Sequence, residues 1–116
     1  MKTAVLLKDG VRLVETVEIA DDLVGRMVGL LGRSKLGEQR AMYLSPCSSI
    51  HTFFMRFPID LVFLNREMVA TRIVRDVRPW RTVFGGAGAV SVLEMESGWF
   101  PADAVSIGDT VKLVVA

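Results

Sequence analysis

The chain of 116 residues has one cysteine, one histidine and four prolines, and its 14 basic and 13 acidic side chains nearly cancel, leaving a formal charge of +1. Each scarcity excludes something. Cys47 has no partner for an internal disulfide, so the fold does not depend on an oxidising compartment. The charge balance lacks the basic excess of a general nucleic-acid binder, and no nucleic acid is expected as a partner. No run reaches the roughly 18 apolar residues of a membrane span. Thr3 to Leu7 falls short of the apolar region of an export signal. The expected location is therefore cytoplasmic. Linkers, repeats and low-complexity tracts are also missing, which predicts a single domain over residues 1–116.

The composition that remains is ordinary for a globular domain, with 51% hydrophobic and 23% charged residues. A chain of this size buries roughly two thirds of the surface its unfolded form exposes, so it needs no metal or disulfide to fold, and no cofactor is expected. Asp9-Gly10, between β-branched runs at Thr3–Leu7 and Val11–Glu18, is a hairpin signal. In the second run Val11, Leu13 and Val17 fall on one face. Leu23, Met27 and Leu30, with Asp21-Asp22 before them and Gly32 after, predict one helix near 21–31. Further strands are expected at Arg40–Ser45, His51–Phe57, Leu61–Asn65, Val69–Arg78, Ala89–Met95 and Thr110–Val115. Val69, Thr71, Ile73 and Val77 should share a face, opposite Arg72, Asp76 and Arg78. A short helical turn is expected near 98–105. The prediction is a mainly β domain, an antiparallel β-sandwich or open barrel of about seven short strands.

The residue types able to do chemistry gather in one window, from Pro46 to Asp60, which holds the lone cysteine and the lone histidine. Three readings compete there. Cys47, His51 and Met55 are soft or borderline ligands four residues apart, a set suited to Cu(I). On a strand that spacing separates them by about 13 Å, too far for one ion. Cys47 beside His51 could instead form an activated nucleophile, although catalytic pairs are assembled by the fold and no oxyanion device is recognisable. The third reading is binding without chemistry. Arg72, Arg75, Arg78 and Arg81 lie close together, with Trp80 among them in Arg78-Pro79-Trp80-Arg81. Arginine offers a planar fork to carboxylate or phosphate, and tryptophan a stacking face. The alternative for these arginines is a solvated strand face paired with Asp76, Glu94 and Glu96. Gly85-Gly86-Ala87-Gly88 lacks the Gly-Lys-Ser/Thr ending of a phosphate loop and reads as a connection.

The stretch from Cys47 to Leu64 resembles the signature of the domain of unknown function 192 family. Further matches are Arg26–Arg33, Arg78-Pro79-Trp80-Arg81, Val92–Gly98 and Ile107-Gly108-Asp109. The resemblance implies a compact β-rich domain and no particular activity. Members often carry an export signal or lipoprotein leader, which is not expected here. One branch has Trp-Met-Lys-Asn where this chain has Phe54-Met55-Arg56-Phe57. Cys47, His51, Thr52, Met55, Arg56 and Asp60 match the histidine-containing branch, which gives them no established role.

The expectation is a non-enzymatic binding or accessory module, with a small anionic ligand or a protein as its partner. Its candidate binding residues are Cys47, His51, Thr52, Met55, Arg56, Asp60, Arg78, Trp80 and Arg81. No residue is assigned a catalytic or metal-binding role. A cysteine-dependent enzyme using Cys47 and His51, and a Cys/His/Met metal protein, are the alternatives.

Overall fold

In the computed structural model, which describes residues 2–20 and 33–115, Asp9 and Gly10 both take positive φ, 51° and 78°. That pairing of left-handed residues is the two-residue turn that matches the twist of a hairpin. It joins β1 (Thr3–Lys8) to β2 (Val11–Ala20). Seven further strands follow: β3 (Arg40–Leu44), β4 (Ser49–His51), β5 (Ile59–Leu64), β6 (Ala70–Val77), β7 (Thr82–Phe84), β8 (Ser91–Glu96) and β9 (Lys112–Val115).

Seven strands form one sheet in the order β6-β5-β8-β3-β2-β1-β9, and β4 pairs with β7 in a separate ribbon. The large sheet is mixed, not antiparallel throughout, because β2 and β3 run parallel from Thr16↔Arg40 to Ala20↔Leu44. A parallel neighbour needs a long crossover, and residues 21–39 supply the length. The helix expected at 21–31 lies outside the described residues. The sheet does not close into a barrel. The chain entering β9 meets the start of β6 where Val69 bridges Thr110, with Val111 N–H donating to the Met68 carbonyl at 3.0 Å, Ala70 N–H to the Asp109 carbonyl at 2.8 Å and Gly108 N–H to the Ala70 carbonyl at 2.8 Å.

Two apolar clusters lie on opposite faces of the sheet. Leu6, Val14, Val17, Val62, Leu64, Leu93 and Met95 fill one. Met42, Leu44, Leu61, Phe63 and Val92 form the floor of the other, and Ile50, Met55 and Phe57 cover it. Strand β5 is buried at all six positions because it serves both. That is why Ile59–Leu64 reads as a continuous apolar run broken only by Asp60, and not as an alternation.

Bulges overturn two predicted alternations. Between β1 and β2, Ala4 faces Val17 and Leu6 faces Val14, so the buried residues of β2 fall three apart and Val11 is exposed. Between β5 and β6, Ile59 faces Val77 and Leu61 faces Val74. The extra residue of β6 puts Val77 on the face of Val74, not of Ile73, with Asp76 at φ 53°. The helical turn expected at 98–105 is also absent; the segment holds one turn, closed by Ala104 N–H on the Pro101 carbonyl at 3.2 Å. The Pro101 carbonyl is shared with the Arg75 guanidinium at 2.8 Å, and the Phe100 carbonyl before it accepts the same guanidinium at 2.6 Å.

Candidate functional site

The ribbon of β4 and β7 has an inner and an outer face, as the period of two requires. Ile50 and Val83, paired across it, turn inward onto the core; Ser49↔Phe84 and His51↔Thr82 face solvent. The strand expected at His51–Phe57 ends at His51. Thr52 is the cause. Its amide donates to the Arg81 carbonyl at 2.8 Å, and its hydroxyl lies 2.7 Å from the Arg78 carbonyl and accepts the Arg81 amide at 2.9 Å. Its own carbonyl accepts Trp80 N–H at 3.0 Å and Met55 N–H at 3.2 Å. The last bond closes a turn over Thr52–Met55. The others fasten that turn to the Pro79–Trp80 bend, so one fully buried threonine clamps two loops together. Such bonds contribute roughly 1 kcal/mol each.

The clamp places aromatic rings side by side. Phe54 and Trp80 both have positive φ, 66° and 67°. For bulky residues this is a costly conformation that persists only when the surroundings impose it. The His51 ring lies 5.2 Å from Phe53, Phe53 stacks on Trp80 at 5.6 Å, and Phe54 meets Trp80 edge-on at 4.7 Å. Phe84 stands on the same outer face, two residue pairs along the ribbon from His51. Phe54, Phe84, Trp80 and Phe53 are 69, 65, 57 and 37% exposed. Phe53, Phe54 and Trp80 with His51 make a contiguous aromatic platform, and Phe84 is exposed on the same outer face of the ribbon; scattered single exposures would be unremarkable.

Arginines frame the platform. Arg56, Arg78 and Arg81 are exposed. Arg78 and Arg81 flank a groove of about 360 Å³ between β6 and β7, lined also by Val74, Asp76, Val77 and Val83. Arg78 reaches Asp76 at 3.6 Å, both side chains being largely exposed. Arg72 and Arg75 are committed elsewhere: Arg72 donates to the Phe84 carbonyl, and Arg75 to Asp60 and to the Phe100 and Pro101 carbonyls. Glu94 and Glu96 do not pair with these arginines; Glu96 Oε1 accepts the amides of Leu36 and Gly37. Segments 46–58 and 77–93, which build the ribbon and its turns, contain Arg56, Arg78 and Arg81 and no acidic residue.

The remaining candidates separate. Met55 is buried in the core, His51 is exposed on the ribbon, and Cys47 is half-buried, its thiol donating to the Ser49 carbonyl at 3.1 Å. Cys47 and Met55 thus pack on the same core while His51 faces solvent, and among the described residues no group of three His, Cys, Asp or Glu side chains is placed to hold a metal ion. A shallow cavity of about 300 Å³ borders Cys47, Pro46 and Val90. Asp60 is buried in β5, pairs with Met95 and belongs to the sheet face opposite the core that the ribbon covers. Its Oδ1 accepts Asp76 N–H at 2.8 Å and the Ser97 hydroxyl at 3.2 Å, and Oδ2 lies 3.3 Å from Arg75. It thus satisfies the amide that the β6 bulge displaces from the ladder. Phe53, Phe54 and Phe84 were not among the sequence candidates. Their signal was a cluster of aromatics in acid-free chain, hidden by reading 51–57 as a strand that would bury alternate rings.

Comparison with known proteins adds the following. The family model of DUF192, described as Uncharacterized ACR, matches residues 4–113. A UPF0127 protein of Pyrococcus abyssi is 30% identical over 103 residues, covering 84% of this chain and 86% of that protein. One from Pyrococcus furiosus is 29% identical over 103 residues, covering 83% and 84%. Among solved structures, a protein of unknown function from Novosphingobium aromaticivorans DSM 12444 has a TM-score of 0.80 at 20% identity, with 95% of this chain and 83% of that chain covered. A Sinorhizobium meliloti 1021 protein, described as a candidate transcription regulator, has a TM-score of 0.79 at 21% identity, covering 97% and 92%. At these identities the two structures share the fold.

Proposed function

The chain belongs to the DUF192 family, and for this member we propose a non-catalytic binding module whose ligand is anionic. The ligand face is the platform of His51, Phe53, Phe54 and Trp80 together with Arg78 and Arg81. One observation carries the reading: Thr52 fastens the Thr52–Met55 turn, with Phe53 and Phe54, to the Arg78–Arg81 bend, so that the stacked rings and the exposed Arg78 and Arg81 belong to two joined turns, with Arg81 reaching the Pro79 and Trp80 carbonyls and Arg78 reaching Asp76. A guanidinium is charged at any physiological pH and presents a fork that fits phosphate or carboxylate oxygens. Ordering costs are low because the backbone of both turns is fixed before binding. Met55 lies in the core that the ribbon covers, with Cys47 packed against the same core, and Asp60 serves the opposite face of the sheet, where it pairs with Met95 and Arg75.

Calorimetric titration of the protein with pyrophosphate and with citrate tests the proposal. Saturable binding by the native chain, weakened at least tenfold in the Arg78→Ala/Arg81→Ala double variant, is the expected result. Equal heats from the two proteins would contradict it.

A further inference from the structure

We infer that the anion is presented by a lipid bilayer, and that the platform is an interfacial anchor that docks the domain on membranes bearing anionic headgroups. This rests on the binding reading above and names its partner. Three observations point to a bilayer in preference to a flat stacking ligand or a complementary protein pocket.

First, the rings already occupy one another. Phe53 stacks on Trp80 with 27° between the planes, and Phe54 abuts the same indole. No parallel pair of free ring faces is left open to clasp a base or a sugar. What remains exposed is a ragged apolar crest of Phe54 against Trp80, with Phe84 exposed on the ribbon's outer face. A fluid hydrocarbon boundary conforms to such a surface, and a planar ligand does not. Second, the chemistry is that of an interfacial anchor: exposed phenylalanine and tryptophan in the two joined turns, exposed Arg56, Arg78 and Arg81 in the same segments, and no acidic residue in 46–58 and 77–93, Asp76 beside Arg78 lying just outside them. Trp sits at the headgroup level of bilayers, and each nearby Arg gains from anionic lipid. The long arginine stems let Arg56, Arg78 and Arg81 keep their charges among the phosphates while the rings go deeper. Third, the crest is built on clamped turns, with Phe54 and Trp80 held at positive φ and their loops joined through buried Thr52. The apolar groups are thus kept from folding back against the domain in water.

Co-sedimentation of the full chain with vesicles of phosphatidylcholine alone, and of equal parts phosphatidylglycerol and phosphatidylcholine, tests this. Binding is expected to the mixed vesicles, to weaken with added salt, and to be accompanied by a blue shift of tryptophan emission. Phe54→Ala should lower partitioning about tenfold, consistent with the burial of one large apolar side chain. Arg78→Ala/Arg81→Ala should lower it by one to two orders of magnitude. Ile107→Ala, which removes an equally exposed apolar side chain elsewhere, should change nothing. The inference is overturned if the mixed vesicles bind no better than phosphatidylcholine, or if Phe54→Ala binds as well as the native chain. It is also overturned if the crest mediates self-association by gel filtration with no vesicle binding. Pyrophosphate binding without vesicle binding would remove the membrane and leave the anion site; loss of both would remove the site itself.

Discussion

Glu94 lies on β8 between Met42 of β3 and Leu61 of β5, on the face of the sheet that carries the Phe63 core. It is buried, and among the described residues no cation is within ion-pair distance of it. Burial alone pushes its carboxyl up from 4.5 to about 7. The folded protein therefore prefers the neutral acid and binds more protons than the unfolded chain across that interval. Stability is greatest below the unfolded value, falls as pH rises from about 4.5 to about 7, and stays at its lower level above. A rise of that size corresponds to roughly 3 kcal/mol. Glu94→Gln keeps the shape and removes the titration. Urea unfolding of both proteins from pH 4 to pH 8.5 should give similar midpoints at the acid end. The variant should be more stable by roughly 3 kcal/mol at pH 8, or on the order of 10 °C in Tm. Because every other group titrates alike in both proteins, their difference isolates Glu94. A pH-independent difference, or a variant less stable at pH 8, would refute the reasoning.

Three further outcomes follow from the same contacts. Thr52→Val should cost roughly 1–3 kcal/mol by orphaning the buried Arg81 amide and Arg78 carbonyl, while Thr52→Ser retains most of the stability; chemical denaturation distinguishes them, and equal midpoints would deny the clamp. Asp60→Ala should destabilise by roughly 2–4 kcal/mol, since it leaves Asp76 N–H without an acceptor, Ser97 with Asp76 alone and Arg75 without its carboxylate; an unchanged Tm would contradict this. At Gly85, an added Cβ would lie 2.5 Å from Phe63 Cδ1 and 2.6 Å from Ala89 Cβ. Gly85→Ala should lower stability by roughly 1–3 kcal/mol, and thermal melts that match the native protein would show that the backbone yields.

What could be read in the sequence is what local chemistry decides. Asp9-Gly10 specifies its turn by itself, and most of the strands can be recognised from their apolar runs. The parts that could not be read depend on partners distant in the chain. Strand β4 stops at His51 because the Thr52 hydroxyl and amide find residues 78–81, and a propensity-based reading of His-Thr-Phe-Phe cannot see them. The face of Val77 depends on one extra residue in β6, stabilised by Asp60 from the neighbouring strand. The parallel pairing of β2 and β3 is set by the chain between them, not by either strand's pattern. Strand β7 has only three residues, too few for an alternation to register. The candidate site followed the same rule: the Arg78-Trp80-Arg81 loop and His51 were visible as residue types, but their meeting with Phe53 and Phe54 is tertiary. Asp60, suggestive in an apolar window, turns out to hold a bulge together.

The most direct test is to map the amide resonances of the 15N-labelled protein during titration with pyrophosphate. The largest shifts should fall at residues 51–54 and 78–84, the two clamped turns and the ribbon strand beside them. Shifts concentrated instead at Cys47 and Val90, or at the cavity lined by Leu7, Gly10 and Lys112, would contradict the assignment of the aromatic and arginine surface as the ligand face.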